Sequence, residues 1–539
     1  MPGPFRDGWL GRWFLAAQAP GRRRCAQTPG IYAPSASDVD VAGAWARLET
    51  VQARSRAVVE AADGVDLARV RVPSPALSLL RLPVGVWLLA CPSTPSAASR
   101  RRCHRSGPQG LREDVPGRAV AGLPGTPEGP ARHWRPPDRD PGRRPWARLR
   151  ADRYRAPMDR GRTRRPFDAA TAQRLFDGLT ARKDVHHALL AIAEGGSAAP
   201  RVFVSGPARP DGPPMAPDTP FFIASVSKLF IAAAVMQLVE REHVRLDSPI
   251  AAYLPGSLVT GLHSSRGVDH GDRITVDHLL RHQSGLPDWL EDRPKGGKAL
   301  IDVLFDGNDR AFSIEDVVAV ARDGLAPHFP PQDLQAPRAR VRYADTNFQL
   351  LMAIVEAVAG KTLHEVYVER LFRPLGLHHT WLPGHEPLAP TEPPATVFAG
   401  DRAVDLPLTL ASVRDLYSTG TDLITFLRAL VTGAAFDDPA TGHALQAVWR
   451  PFGFPLDPTA LRQPNWPIEY ARGMMRLQLP WILDPRRRVP PIVGHTGSTG
   501  TWAFHCAEFD LYLAGTVDQA TAGPVPFRFV PQLLRQLAA

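Results

Sequence analysis

Hydrophobic and polar residues follow a regular pattern only after about residue 165. Apolar residues recur with helical spacing from Asp168 to Leu179. Two mostly apolar runs, Val185–Ala193 and Arg201–Ser205, have the length of strands, and the Gly195-Gly196-Ser197 segment between them favours a hairpin. The pattern therefore predicts one helix followed by a pair of strands.

The C-terminal part of the chain shows a second group of strands. Thr501–Phe509 and Leu511–Val517 have strand-like patterns, and Pro526–Leu537 is predicted to form a closing helix. Strands at both ends with helices between them indicate an α+β fold rather than alternating βαβ units. We expect an antiparallel sheet built from both ends of a domain at 166–539, flanked by helices, with a helical insertion at about 266–435.

Capping residues and glycine turns mark the predicted helices in the middle of the chain. Ser313 is placed to cap one of them, Thr362 begins a capping-box pattern, and Thr421 is predicted to begin another. The predicted helical segments are 229–239, 274–287 (a short helix closed by a glycine turn), 314–321, 350–358, 362–371 and 421–430.

Residues 1–165 differ in composition from the rest of the chain. They hold 30 arginines, no lysine, 14 acidic residues and 20 prolines, a net charge of +16. Because the whole chain of 539 residues carries +10, the remainder carries −6, and the basic character belongs to the first segment alone. Such a segment buries too little apolar surface to offset its ordering entropy, so disorder is expected.

Two other interpretations of this first segment stay open. An apolar run, Leu82–Ala90, precedes Cys91 in a pattern that looks like a bacterial lipoprotein cleavage site, but it contains Pro83 and lies far from Met1. Alternatively, residues 1–157 are not translated and the chain begins at Met158, since out-of-frame GC-rich DNA encodes such a composition. Met1 precedes no convincing signal peptide, so a cytoplasmic location is favoured, with export expected if the true start differs.

Composition also bears on cofactors and partners. Cys506 is the single cysteine after residue 165, and no group of residues has metal-ligand spacing, so neither a metal nor another cofactor is expected. No apolar run approaches the about 18 residues needed to span a membrane. The basic segment lacks any nucleic-acid recognition motif, so a nucleic-acid partner is not expected. The oligomeric state is left open.

The segment Phe221–Lys228 carries the first candidate chemistry. It predicts a short extended segment that turns into a helix, with Ser225 and Lys228 one turn apart on the same face. A lysine amine can activate a serine hydroxyl if its pKa is lowered, and burial beside a helix N-terminus is expected to lower it. Lysine is rare here: the chain has five lysines against 59 arginines, and arginine cannot act as a base.

Two later segments supply further polar groups. Tyr343 and Asp345 precede an apolar helix, and a tyrosine can transfer protons if a nearby cation lowers its pKa. Gly494–Gly500, with the sequence GHTGSTG, precedes the predicted C-terminal strands. Glycines at a sheet edge allow a ligand to approach backbone N–H groups closely.

Together these motifs resemble those of a known family. Ser-x-x-Lys, then a tyrosine motif of the Tyr-x-Asn type, then His-Thr-Gly before a strand pair is similar to the signature of serine β-lactamases and penicillin-binding proteins. The segment 279–286, LLRHQSGL, resembles the class C-like branch, which includes D-Ala-D-Ala carboxypeptidases and family VIII carboxylesterases. The resemblance extends from about residue 168 to the end of the chain.

The resemblance implies a β-lactamase/transpeptidase-like fold and specific residue roles. Ser225 would be the acylated nucleophile, Lys228 its partner base and Tyr343 the proton relay. The backbone N–H groups of Ser225 and Ser498 would form the oxyanion hole, and Thr496 and Gly497 would line the substrate strand. Ser227, Ser284 and His282 are read as structural, and Cys506 as a core residue.

Two residues depart from the family pattern. Asp345 stands where many members have asparagine, so it can pair with Lys228 but cannot donate an amide hydrogen to a substrate. His495 stands where many members have a lysine that holds a substrate carboxylate, and an unperturbed histidine is mostly uncharged at neutral pH. Both changes disfavour efficient β-lactam hydrolysis.

The favoured function is therefore a serine hydrolase of small-molecule esters or amides that acts through an acyl-enzyme on Ser225. The alternatives are a D-Ala-D-Ala carboxypeptidase or a β-lactamase, which loop residues around the pocket would distinguish. An alternative of another class is a catalytically silent binding protein of the same fold.

Overall fold

The computed structural model describes residues 168–195, 199–452, 468–479, 484, 486 and 488–537. The predicted N-terminal extension, including the segment before Cys91 and the alternative start at Met158, lies outside the described residues.

The described helices alternate with short strands and 3₁₀ or π turns. The helices are α1 Ala169–Thr180, α2 Lys228–Glu240, α3 Gly256–Val259, α4 Val276–Leu280, α5 Leu300–Phe305, α6 Ile314–Ala319, α7 Asp345–Ala359, α8 Leu363–Tyr367, α9 Arg373–Leu375, α10 Pro407–Val413, α11 Gly420–Thr432, α12 Pro439–Leu445 and α13 Pro526–Leu537. The strands are β1 Ala188–Glu194, β2 Arg201–Ser205, β3 Phe221–Phe222, β4 Ser264–Ser265, β5 Val268–Asp269, β6 Phe398–Ala399, β7 Arg402–Ala403, β8 Tyr417–Ser418, β9 Arg450–Pro451, β10 Ile468–Tyr470, β11 Met475–Leu477, β12 Ile492–Thr496, β13 Trp502–Cys506 and β14 Leu511–Thr516.

One large antiparallel sheet combines strands from both ends of the described chain. Among the described residues it has eight strands, in the order β2-β1-β14-β13-β12-β11-β10-β9. The first strand of the domain lies beside the last one, with Ala191 opposite Ala514. The prediction of a sheet built from both ends is therefore correct, and most of the helices lie between β2 and β9 in sequence.

Both faces of this sheet are buried, which explains why its central strands are mostly apolar and do not alternate strictly between apolar and polar residues. On one face, Leu190 and Phe504 pack against Phe176 of α1 and Phe529 of α13. Residues of the other face pack against α2, α7 and α11. The list of sheet residues on that second face is Leu189, Ala191, Ala193, Val493, Ala503, Tyr512 and Ala514.

Helix α2 is the central helix of the second core. Every residue from Lys228 to Leu238 is buried, so the helix is apolar around its whole circumference, as expected for a helix surrounded by protein. Its Phe230 ring stacks on the Phe426 ring of α11, with 3.6 Å between centroids. The N-terminal end of this buried helix carries Lys228.

Two predicted helix starts were wrong. Helix α11 begins at Gly420, because Thr419 and not Thr421 is the capping residue that accepts the N–H of Asp422. The helix predicted at 350–358 begins at Asp345, since the polar residues before Leu350 face buried partners that the sequence pattern does not reveal. As a result, Asp345 lies in the first turn of α7.

Candidate active site

Ser225 lies in a tight turn between β3 and α2. Residues Ala224–Ser227 form one 3₁₀ turn, and Ala224 has a φ of +45°, in the left-handed region that non-glycine residues rarely adopt. In a 3₁₀ turn, side chains three residues apart are eclipsed. Lys228 Nζ consequently donates a hydrogen bond of 2.9 Å to Ser225 Oγ.

Tyr343 reaches the same serine from the loop before α7. Its hydroxyl donates to Ser225 Oγ at 2.8 Å, and its side chain is buried. The Lys228 ammonium lies 5.0 Å from the centre of the Tyr343 ring. The three residues that the sequence identified far apart in the chain are therefore brought together around one oxygen atom.

His282 holds the loop that carries Tyr343. The backbone oxygen of His282 accepts the N–H of Arg342 at 2.9 Å, and its Nδ1 accepts the N–H of Ala344 at 3.2 Å. The His282 ring also contacts the Tyr343 ring, with 4.5 Å between centroids. His282 therefore positions Tyr343 from both sides, a more specific role than packing.

Asp345 contributes a carboxylate to the site. Its Oδ1 forms an ion pair with Lys228 Nζ and lies 3.5 Å from the Tyr343 hydroxyl. The N–H of Asp345 donates to Oδ2 of Asp288 at 2.8 Å, which fixes the first turn of α7. A carboxylate in this position is further favoured by the positive end of the helix dipole.

The environment of Lys228 corrects one expectation from the sequence. Burial alone would lower the pKa of Lys228, but the charges of Asp345 and Asp415 outweigh burial and raise it overall. The lowered pKa was predicted from burial and the helix N-terminus, although the sequence also indicated that Asp345 can pair with Lys228. In the resting site Lys228 is therefore an ammonium ion.

The pKa of Tyr343 differs from expectation in the same direction. Burial, followed by the nearby charge of Asp345, raises the pKa of the Tyr343 phenol well above its ordinary value. The lowering effect expected from Lys228 is offset because Asp345 neutralises that cation. Tyr343 is thus a neutral phenol that donates its proton to Ser225 Oγ.

His495 is fully buried in β12 and both ring nitrogens are engaged. Its Nδ1 lies 2.7 Å from the backbone oxygen of Thr496, and its Nε2 lies 3.1 Å from the Tyr470 hydroxyl. A carbonyl can only accept, so Nδ1 carries the proton and Nε2 accepts from Tyr470. Burial and the Lys228 charge lower the pKa of His495 to about 3, so the ring is neutral.

The end of β12 lies against the serine turn. A Cβ on Gly497 would come within 2.8 Å of the Ile223 carbonyl oxygen and 2.9 Å of the Ala224 Cβ, so only glycine permits this approach. Thr496 is buried, and Ser498 follows with an exposed side chain in a turn closed by the Gly500 N–H on the Gly497 oxygen. The oxyanion role of the Ser225 and Ser498 N–H groups stays a prediction.

The other two serines of these motifs have buried structural partners. Ser227 Oγ accepts the N–H of Leu416 at 2.8 Å, and Ser284 Oγ donates to Asn347 Oδ1 at 2.6 Å. Cys506 is fully buried in β13. These placements agree with the structural reading of all three residues.

Three carboxyl groups near the site were missed by the sequence analysis. Burial and the charge of Asp345 raise the pKa of Asp288 well above its ordinary value. Burial also raises the pKa of Asp415 to about 7, against the opposing effect of Lys228. The surrounding protein and Asp345 raise the pKa of Glu291 to about 7, although its side chain reaches solvent. Asp288 lies two residues after the end of the LLRHQSGL segment, whereas Asp415 belongs to no motif.

The described part of the chain contains neither a candidate metal site nor a candidate membrane-spanning helix. No group of three or more His, Cys, Asp or Glu side chains there is close enough to hold a metal ion. No helix there combines the length and the hydrophobicity needed to cross a membrane.

Solved structures with this architecture include hydrolases and penicillin-binding proteins. A D-stereospecific amidohydrolase from Streptomyces sp. aligns with a TM-score of 0.50 and 24% identity, over 66% of this chain and 96% of that one. The octameric penicillin-binding protein homologue from Pyrococcus abyssi aligns with a TM-score of 0.54 and 21% identity, over 68% of this chain and 77% of that one. At these identities the similarity demonstrates the fold alone.

Sequence comparisons agree with the structural ones. Penicillin-binding protein 4 of Amycolatopsis lactamdurans is 31% identical over 30% of this chain and 36% of its own length. Esterase EstB of Burkholderia gladioli is 30% identical over 33% of this chain and 42% of its own length. The matched regions thus span less than half of each of these two relatives. The Beta-lactamase family model matches residues 172–527, most of the chain. The protein therefore belongs to the Beta-lactamase family, and the predicted family resemblance and α+β fold are confirmed.

Proposed function

We propose that this protein is a serine hydrolase that cleaves esters and small amides through an acyl-enzyme on Ser225. The observation that carries the proposal is the convergence of Lys228 Nζ and the Tyr343 hydroxyl on Ser225 Oγ, at 2.9 and 2.8 Å. Both groups can exchange protons, and both lie within the distance that general acid–base catalysis requires.

In the proposed acylation step, one proton first leaves the Lys228 ammonium ion, and Ser225 Oγ then attacks the substrate carbonyl while the serine proton moves to Lys228. The backbone N–H groups of Ser225 and Ser498 stabilise the negative charge that develops on the carbonyl oxygen. Support for this geometry comes from Gly497, which brings the end of β12 against the residues before Ser225. Tyr343 supplies the proton that the leaving group takes.

Deacylation reverses these roles with water as the nucleophile. Tyr343 takes a proton from the water that attacks the ester carbonyl and passes its own proton to the Asp345 carboxylate. Lys228 gives a proton to Ser225 Oγ as that oxygen departs, and the proton on Asp345 then returns to Lys228. The buried positions of Lys228 and Tyr343 limit other water from competing for these protons.

The charge distribution favours substrates without a carboxylate near the scissile bond. His495 cannot hold a substrate carboxylate, because it is neutral, fully buried and engaged at both ring nitrogens. Asp345 adds a negative charge beside Ser225, and its side chain is 17% exposed. β-Lactams and D-Ala-D-Ala peptides carry such a carboxylate, so esters and neutral amides fit this site better.

Three substrate classes in parallel test the proposal. We expect the wild-type protein to hydrolyse a short-chain 4-nitrophenyl ester faster than a chromogenic cephalosporin or a D-Ala-D-Ala peptide. Ser225→Ala should abolish turnover and the acyl adduct seen by mass spectrometry. Ser257→Ala, an exposed serine in α3, serves as the matched control and should behave as wild type.

The outcomes separate the alternatives. Faster hydrolysis of the cephalosporin or the peptide would favour a β-lactamase or a carboxypeptidase instead. If wild type and Ser225→Ala behave alike on all three substrates and no adduct forms, the protein is a catalytically silent member of its family.

A further inference from the structure

Among the described residues, no side chain accepts a hydrogen bond from Ser225 Oγ in the resting geometry. Ser225 Oγ accepts hydrogen bonds from both Lys228 and Tyr343. An ammonium ion has no lone pair, and the neutral Tyr343 phenol already donates its proton to this oxygen. Acylation therefore requires that one proton first leave Lys228.

Asp345 is the group in position to receive that proton. A single oxygen atom, Oδ1, contacts Lys228 Nζ and lies 3.5 Å from the Tyr343 hydroxyl. Lys228 and Tyr343 lie on either side of Ser225 Oγ. Asp345 Oδ1 therefore connects Lys228, which takes the serine proton, to Tyr343, which protonates the leaving group. The 3.5 Å separation is long for a hydrogen bond, but such contacts tighten when substrate binds.

Other ionisable groups face Lys228 and Asp345 but are engaged elsewhere. Asp288 accepts the backbone N–H groups of Leu290, Glu291 and Asp345. Asp415 acts on Lys228 through its charge and is hydrogen-bonded to Ser227. Among the described residues, the ionisable neighbours that interact most strongly with the pair are Tyr343, Tyr470, His282, His495, Asp288, Glu291 and Asp415.

We propose that Asp345 is a proton-accepting residue of this active site, which takes a proton from Lys228 during acylation and returns it to the leaving group through Tyr343. This inference rests on the proposed acyl-enzyme function. The inference assigns a chemical role to Asp345, which stands where many family members have asparagine.

The proton balance closes within the site. One N–H bond of the Lys228 ammonium breaks and an O–H bond forms on Asp345, which leaves a neutral amine and a carboxylic acid. The Ser225 O–H bond then breaks, its proton moves to Lys228, and Oγ bonds to the substrate carbonyl carbon. When the bond to the leaving group breaks, Tyr343 gives its proton to that group and regains one from Asp345. Lys228 and Asp345 are then again an ion pair.

Asp345→Asn tests this role because asparagine keeps the shape but cannot accept the proton. Two esters with the same acyl group, 4-nitrophenyl butyrate and ethyl butyrate, distinguish the removal of a proton from Lys228 from the return of that proton to the leaving group. Nitrophenolate departs without a proton, whereas ethoxide needs one. We expect kcat/KM for ethyl butyrate to fall about 100-fold more than kcat/KM for the nitrophenyl ester, within the range of general acid catalysis.

The pH profile gives a second readout that a structural role would not change. In the wild-type protein the Lys228 proton passes to Asp345 and not to solvent, so kcat/KM should show no rise that follows the loss of the Lys228 proton. In Asp345→Asn only the neutral amine of Lys228 can act, so kcat/KM should rise with pH until Lys228 has lost its proton. Asp272→Asn, an exposed carboxylate on the surface, is the matched control for the charge change.

Equal losses for both esters with an unchanged pH profile would overturn the proposal and leave Asp345 a structural residue. If Asp345→Asn does not fold, the wild-type protein itself supplies the test. Its kcat/KM for ethyl butyrate should curve downward in mixtures of H₂O and D₂O, because more than one proton moves, and a linear dependence would contradict the inference. Activity that survives Ser225→Ala would instead refute the underlying function.

Discussion

At the scale of single residues, the chemistry depends on one lysine whose surroundings differ from those of the other described lysines. Lys228 is 3% exposed and is paired with a partly buried carboxylate, whereas the Lys361 side chain is 45% exposed and pairs with Glu369 at the surface. Exposed pairs of this kind contribute less than about 1 kcal/mol. The buried lysine is therefore the one whose chemical type matters.

Lys228→Arg should slow acylation severely. Arginine retains the positive charge but cannot release a proton, so it cannot become a base. We expect kcat/KM to fall by about 10² to 10⁴, the usual contribution of such a group. The measurement is nitrophenyl ester hydrolysis with mass spectrometry of the acyl adduct. Lys361→Arg makes the same change at the surface and should have no effect; full activity of Lys228→Arg would place the base elsewhere.

Asp415 makes stability depend on pH. Its pKa is about 7 in the folded protein and near 4 in an unfolded chain, so the folded state binds more protons between these values. Stability from this group is present below about pH 4 and is lost as the pH rises to about 7. Asp415→Asn removes this loss.

The stability of Asp415→Asn relative to wild type should therefore be greater at pH 8 than at pH 5, by about 1–3 kcal/mol. Urea unfolding at both pH values measures the difference, with the exposed Asp272→Asn as the control. The same relative stability at both pH values would show that Asp415 does not titrate in this range.

At the scale of secondary structure, close backbone contacts align the elements of the site. Gly497 brings β12 against the serine turn. Gly473, with a φ of +70°, brings the turn between β10 and β11 against α2, where a Cβ would lie 2.5 Å from the Ala232 Cβ. The sheet and the helix that carries Lys228 are thus positioned by glycines that no larger residue can replace without displacement.

Gly497→Ala should reduce activity more than stability. The added methyl group must displace β12 from Ile223 and Ala224, and a shift of about 1 Å at a catalytic site can lower activity about 100-fold. Ester hydrolysis and thermal unfolding should be measured together. Gly178→Ala in α1 is the control: its Cβ meets nothing within 4 Å, so it should leave activity unchanged and stabilise the helix by about 0.5–1 kcal/mol. Unchanged activity in Gly497→Ala would show that the reaction does not depend on the position of β12.

At the scale of the whole molecule, a buried ion pair connects the helical region to the sheet. Asp277 of α4 accepts from Arg472, in the turn between β10 and β11, at 2.6 and 2.9 Å, and from Arg281 at 3.0 Å. Burial opposes ionisation, but the two arginines outweigh it and lower the pKa of Asp277. The stabilisation of the folded state by ionised Asp277 is present above about pH 4. It is lost as the pH falls through the lowered pKa of Asp277.

Asp277→Asn should destabilise the folded protein by about 3–5 kcal/mol, since it leaves two buried arginines without their carboxylate. Urea unfolding at neutral pH measures this loss. Asp247→Asn breaks an exposed pair with Arg245 and should cost less than about 1 kcal/mol. Equal, small effects of the two substitutions would show that the buried pair is not a principal contact between the two regions.

The sequence alone was sufficient for the family and the fold class, and it located the three residues that converge on one oxygen atom. Ser225 and Lys228 were paired because a three-residue spacing puts two side chains on one face of a helical turn. Tyr343 was identified from its own motif and from the order of the three motifs in the chain. The strands and helices predicted at both ends of the domain are present in the structure for a similar reason, because apolar periodicity reflects which faces of an element are buried. These are properties of neighbouring residues, which a sequence contains in full.

The tertiary structure alone decided the proton states in the site. The sequence predicted a lowered pKa for Lys228, but that pKa is raised because Asp345 and Asp415, which are 117 and 187 positions further along the chain, lie beside it. The engaged nitrogens of His495 depend in the same way on Tyr470. Electrostatic interactions depend on distance through space and on burial, so the turn around Ser225-Val226-Ser227-Lys228 could be located from the sequence, whereas the charge of its lysine could not.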